Sequence, residues 1–76
     1  MAKILIVEDD RAILLGLKEN LVYEGHTVVA AMRGDEALER LQATGPDLVI
    51  LDIMLPGLNG FEVCRRIRKM DRRLPV

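Results

Sequence analysis

Apolar positions along this chain come in two kinds of block. The first is short and unbroken: Lys3 to Val7 reads KILIV, His26 to Ala31 reads HTVVAA, and Leu48 to Leu51 reads LVIL within 47–52. The runs KILIV and LVIL predict strands buried on both faces of a parallel sheet, and the β-branched centre of HTVVAA predicts a second strand between them in sequence. The second kind is periodic. From Arg11 to Glu24, residues Ile13, Leu14, Leu17, Leu21 and Val22 recur at three- and four-residue spacing and predict an amphipathic helix. Asp10 is placed to cap that helix, and Gly25 to end it in a left-handed conformation. Gly34-Asp35 opens a second helix carrying Ala37, Leu38 and Leu41, stopped by Gly45-Pro46. A third begins near Gly60 or Phe61, with Val63, Cys64, Ile67 and Met70 as its apolar face. Leu74-Pro75-Val76 reads as the first residues of a further strand.

The predicted order is β-α-β-α-β-α, an α/β fold with parallel pairing and right-handed crossovers. Parallel pairing puts the C-terminal ends of all strands at one edge of the sheet. Glu8 and Asp9 follow the first strand and Asp52 closes the third, so all three emerge on the same side. If those strands are neighbours where the chain reverses direction across the sheet, a crevice opens there and three carboxylates meet in it. Asp52 is the leading candidate, since a charge ending a buried strand belongs in a cleft. The plainer reading is that it starts a turn.

Composition narrows the field. The 76 residues suffice for one small domain, with an aliphatic core, since there is one Tyr, one Phe and no Trp. One cysteine, Cys64, rules out an internal disulfide, suits a reducing cytoplasm, and reads as a small buried hydrophobe. No apolar run is long enough to span a bilayer, and no secretory pattern opens the chain, so a soluble cytoplasmic protein is expected. The net charge of −1 conceals an asymmetry: residues 1–62 carry five Lys/Arg against eleven Asp/Glu, and residues 63–76 six against one. Arg65, Arg66, Arg68, Lys69, Arg72 and Arg73 lack interleaved aromatics, so a solvated helix face is expected rather than direct nucleic-acid binding. His26 has no second His to share a metal and is expected at the surface.

Clustered carboxylates repel, and a hard divalent cation relieves them. Mg²⁺ takes one or two carboxylates and shares its other positions with water and phosphate oxygens. A carboxylate left partly free beside it can attack phosphorus and form an acyl phosphate. The constellation therefore favours Mg²⁺-assisted phosphoryl transfer onto an aspartate over a general acid/base pair, for which there is no substrate pocket. No Gly-rich nucleotide loop and no Ser/His/Asp arrangement is present.

Glu8-Asp9-Asp10 after ILIV, LVILD ending at Asp52, Met54-Leu55-Pro56-Gly57 and Asn59-Gly60-Phe61-Glu62 together resemble the receiver domain of bacterial two-component response regulators, with Asp52 43 positions after Asp9. The resemblance covers the whole chain. It implies a flavodoxin-like fold of strand order 2-1-3-4-5, of which this sequence supplies the 2-1-3 part and lacks strands 4 and 5. It implies Asp52 as phosphoacceptor from a histidine kinase, Asp9 as direct Mg²⁺ ligand, Glu8 acting through water and the Met54 carbonyl as a backbone ligand. Pro56, Gly57 and Gly60 would shape the adjoining loop. GLNGFEVCRRIR is most similar to the winged-helix transcription-factor branch. Such a protein accepts a phosphoryl group on itself and is not a turnover enzyme.

The family's sensing Ser or Thr and its pairing Lys belong to strands 4 and 5. Residues 1–76 are therefore expected to be the N-terminal part of one receiver domain, without an effector domain. An exposed third-strand edge predicts a homodimer or higher oligomer. A second reading is a half-receiver that keeps the fold and serves as a self-association module without competent phosphotransfer. A third, a haloacid-dehalogenase-like phosphatase, needs a D-x-D pattern after the first strand, which Glu8-Asp9-Asp10 does not supply.

Overall fold

The computed structural model describes residues 1–52, 55, 59–71 and 73–76. Among them are three strands, β1 (Lys3–Val7), β2 (Thr27–Ala31) and β3 (Leu48–Leu51), and three helices, α1 (Arg11–Tyr23), α2 (Gly34–Thr44) and α3 (Gly60–Met70). They alternate as the hydrophobic pattern predicts. The sheet is parallel throughout, in the order β2-β1-β3. Leu5 of β1 lies between Val29 and Val49, and Val7 between Ala31 and Leu51.

The order constrains where the helices go. From β1 the chain steps one way to β2, then returns across β1 to β3. Keeping both crossovers right-handed requires their helices on opposite faces of the sheet. Strand alternation then divides the core in two. Leu5, Val7, Ala31 and Val49 point towards α2 and α3 and pack with Ala37, Leu41, Val63, Ile67 and Leu74. Ile4 and Ile6 point the other way and pack with Leu14, Leu17 and Leu21 of α1.

The ends of α1 follow from local chemistry. Asp10 has extended backbone, and its Oδ1 accepts from the N–H groups of Ala12 at 2.9 Å and Ile13 at 3.2 Å. At the far end Gly25 adopts φ +93°, the left-handed region that costs glycine little. The Gly25 N–H donates to Val22 O and the His26 N–H to Leu21 O, both at 3.0 Å, which closes a Schellman motif. Gly45 ends α2 with φ +59°.

Three expectations about burial need correction. In α1 only Leu14, Leu17 and Leu21 face the sheet; Ile13 and Val22 are half exposed, at 50% and 52%. A helix turns about 100° per residue, so the two fall on opposite flanks of a stripe narrower than the periodicity suggests. Met70 on α3 is likewise exposed. His26 is not a free surface residue: it is partly buried, and its Nδ1 accepts from the Ala2 N–H at 3.0 Å. That bond ties the chain start to the approach to β2.

At the opposite edge of the sheet from the candidate acids, Asp47 clamps the start of β1. Its backbone N–H donates to Lys3 O at 2.7 Å, and its Oδ2 accepts from the Lys3 N–H at 2.9 Å. Lys3 Nζ donates to Thr44 O at 2.8 Å. On the outer edge of β3, the Val49 N–H donates to Pro75 O at 2.9 Å, although Leu74-Pro75-Val76, expected to open a further strand, form none.

Leu5 is fully buried and Ile13 half exposed. Leu5→Ala should therefore cost about 2–5 kcal/mol, a large part of the ~4–11 kcal/mol ordinary for this length. Ile13→Ala should change stability by no more than about 0.5 kcal/mol. Urea denaturation of the two variants beside the parent chain checks both.

Candidate functional site

The reversal of chain direction falls between β1 and β3, where an open parallel sheet forms its crevice. Both strands deliver acids into it. Beyond the last residue of β1, the Glu8 N–H donates to Ala31 O at 3.0 Å; beyond β3, the Asp52 N–H donates to Val7 O at 2.9 Å. The ladder thus runs one rung past each strand. The backbones of Glu8 and Asp52 are fixed by the sheet while their side chains enter the crevice.

There, one carboxylate oxygen from each of Glu8, Asp9 and Asp52 lies within 4.8 Å of the others. Glu8 and Asp52 are partly buried and Asp9 is exposed. The residues predicted from the sequence are brought together. Gly60 is buried and opens α3. Met54, Pro56 and Gly57 lie outside the described residues.

The electrostatics match the geometry. Desolvation is the largest influence holding the Glu8 carboxyl above its ordinary value, and hydrogen bonding and charge repulsion from Asp52, with hydrogen bonding to Asp9, push the same way. The Asp10 N–H, donating to Glu8 Oε2 at 3.2 Å, opposes them without cancelling them. Three hard oxygen donors at this separation, one of them with its carboxyl held above its ordinary value, form a set that a small hard cation would satisfy. The cation would sit among Glu8, Asp9 and Asp52. Asp10 is excluded from the cluster by its work as the α1 cap, as the sequence predicts.

One supporting residue was missed. Asn59, not Gly60, fixes the start of α3: its Oδ1 accepts from the Glu62 N–H at 3.0 Å. Its signature is in the sequence, an Asn three positions before a Glu at a helix start. On the first turns of α3, Glu62 pairs with Arg65 and Arg66, at 3.4 Å for the latter. Arg68 donates to Leu74 O. Much of the basic segment is therefore engaged within the fold, in keeping with a solvated helix face.

A parallel α/β fold with an all-oxygen acidic cluster at its switch point defines a receiver-like architecture. Comparison with known proteins makes this specific: residues 4–76 match the response regulator receiver domain family, and the chain belongs to it. It is 49% identical over 76 residues to the transcriptional regulatory protein AfsQ1 of Streptomyces coelicolor, covering all of this chain and 33% of that protein. The N-terminal domain of a response regulator receiver protein from Methanoculleus marisnigri superposes with a TM-score of 0.94 at 38% identity, over 100% of this chain and 63% of the other. The response regulator TrrA of Thermotoga maritima, 44% identical, has been solved with Mg²⁺-BeF (TM-score 0.89, 95% of this chain and 63% of that one). It has also been solved with the histidine kinase ThkA (TM-score 0.89, 96% and 63%). The chain thus spans about a third of the length of the curated relative and under two thirds of the solved domains.

Because Glu8 is raised in the folded chain, the fold binds this proton more tightly than the unfolded chain does. The resulting stabilisation is complete below the ordinary value of 4.5 and is lost as pH rises through the raised one. In a metal chelator, Glu8→Gln should flatten that part of the pH–stability curve and leave the variant more stable than the parent at pH 7. Thermal melts of both chains from pH 4 to 8 decide this, and a variant no more stable than the parent at pH 7 would refute it.

Proposed function

We propose that this chain accepts a phosphoryl group on Asp52 from a phosphohistidine of a histidine kinase, in a divalent-cation-dependent step of a phosphorelay. The observation that carries the reading is the convergence of Glu8, Asp9 and Asp52 within 4.8 Å at the switch point. An Asp52 carboxylate oxygen attacks phosphorus, forming the acyl-phosphate O–P bond. The P–N bond breaks, and its electron pair returns to the imidazole nitrogen. Asp9 and Glu8 hold negative charge where a cation is needed, and the rung from the Asp52 N–H to Val7 O keeps the acceptor backbone in place during attack. A bound Mg²⁺ supplies the positive charge that lets an anionic carboxylate approach an anionic phosphoryl group. The product is the modified chain itself, so this is an acceptor that assists its own modification rather than a turnover enzyme.

Support comes from the family, from TrrA having been solved with Mg²⁺-BeF and with a kinase, and from a relative named as a transcriptional regulator. The output we assign to the parent system is accordingly transcriptional. No described helix is long and apolar enough to cross a membrane.

One observation favours the second reading, a half-receiver that keeps the fold and serves as a self-association module without competent phosphotransfer. The lysines lie away from the acids: Lys3 is tied to Thr44 at the far edge, Lys18 is in the second half of α1, and Lys69 in the last turn of α3. None of the three is placed to pair with a phosphoryl group on Asp52. Self-association through β3 concerns its outer edge, where the Val49 N–H is already donated to Pro75 O.

Incubation with acetyl phosphate and Mg²⁺, followed by intact-mass measurement, tests the proposal. The parent chain should gain one phosphoryl mass, Asp52→Asn none, and Asp9→Asn should label far more slowly. A folded parent that stays unlabelled would leave the structural reading.

A further inference from the structure

The outer side of α1 carries a shallow apolar hollow lined by Leu15, Lys18, Glu19, Val22 and Tyr23. Leu15 and Val22 are 54% and 52% exposed, and Tyr23 is 89% exposed. The acid cluster makes no use of this face, and the sheet is covered by the neighbouring stripe of the helix, Leu14, Leu17 and Leu21. Positions 15, 18, 19 and 22 are neighbours on a helix surface, so they form one continuous strip. At its middle stand one cation and one anion, Lys18 and Glu19. One turn to either side stands an aliphatic residue, Leu15 or Val22.

A strip in this order is complementary to itself reversed. When two α1 helices lie antiparallel about a twofold axis passing between residues 18 and 19, Leu15 of one copy faces Val22 of the other. Lys18 faces Glu19, and each pairing occurs twice, as an isologous interface requires. A parallel arrangement in the same register would instead set Lys18 against Lys18 and Glu19 against Glu19. The charges therefore select the antiparallel pair.

We propose that this strip is a docking surface for a second copy of the chain, joined as an antiparallel α1–α1 pair. The rim residue Tyr23 adds a rigid aromatic edge of the kind enriched at interfaces. One helix pair covers less than the ~800 Å² per partner of a standard stable complex, so association is weak, with a dissociation constant on the order of 100 µM. The acid cluster lies at the N-terminal end of α1. An antiparallel pair thus holds the two clefts at opposite ends of a helix about 20 Å long, both open to a phosphodonor.

Sedimentation velocity from 10 µM to 1 mM provides the test, with the parent chain, Lys18→Glu, Glu19→Lys and an equimolar mixture of the two variants. Both positions are exposed, and circular dichroism checks that each variant folds. The parent should show a concentration-dependent dimer, and each single variant should weaken it about tenfold, because both cross-pairs become like-charged. The mixture should recover parental affinity, since a mixed pair again sets opposite charges face to face. A parent monomeric to 1 mM would overturn the proposal. So would association untouched by either variant, which would place it elsewhere, such as the outer edge of β3, or a mixture that fails to recover.

Discussion

Everything in this fold hangs on β1 having a strand on each side. Ile4, Leu5, Ile6 and Val7 are all buried, alternately serving the two halves of the core. With both its edges hydrogen-bonded, β1 can only be central, and the chain must cross over it to reach β3. That single reversal sends α1 to one face and α2 with α3 to the other. It also creates the crevice at the one place where two strand ends diverge. The acidic site is a consequence of the topology before it is a consequence of the acids.

The fold was legible because its signals are local and redundant. Each strand is an aliphatic run, each helix begins or ends on a residue with a stated local task, and the order of elements then leaves few topologies. The convergence of Glu8, Asp9 and Asp52 followed from strand order alone. What escaped was three-dimensional. Ile13 and Val22 satisfy a helical period, but period says only that a face exists, not how wide a strip the sheet can cover. The half-buried state of His26 depends on Ala2, 24 positions away, which no local pattern relates to it. Asn59 was legible and was passed over, because the glycine beside it is the more conspicuous start signal.

Function and stability pull against each other at the crevice. Burying Glu8 and then gathering Asp52 and Asp9 around it raises the free energy of the folded chain, desolvation first and the neighbouring carboxylates second, as the upward displacement of Glu8 reflects. The sheet tolerates it because the backbones of Glu8 and Asp52 are anchored by ladder bonds independent of their side chains. A domain of this size has little stability to spare. The same tension explains why the cap of α1 is a separate residue. Asp10 is engaged by two helix N–H groups and is thereby kept out of the cluster.

Asp47 and Asp52 are the same amino acid on either side of one four-residue strand. The carboxylate before β3 reaches the backbone amide of Lys3 and becomes mortar between two strands. The carboxylate after β3 stands among other carboxylates at the crevice. Their different surroundings are a matter of polarity along the strand: hydrogen-bond donors meet Asp47 at one end, and negative charge gathers with Asp52 at the other. Exchanging the chemical roles of these two aspartates would need no change in either residue, only in the direction the strand runs.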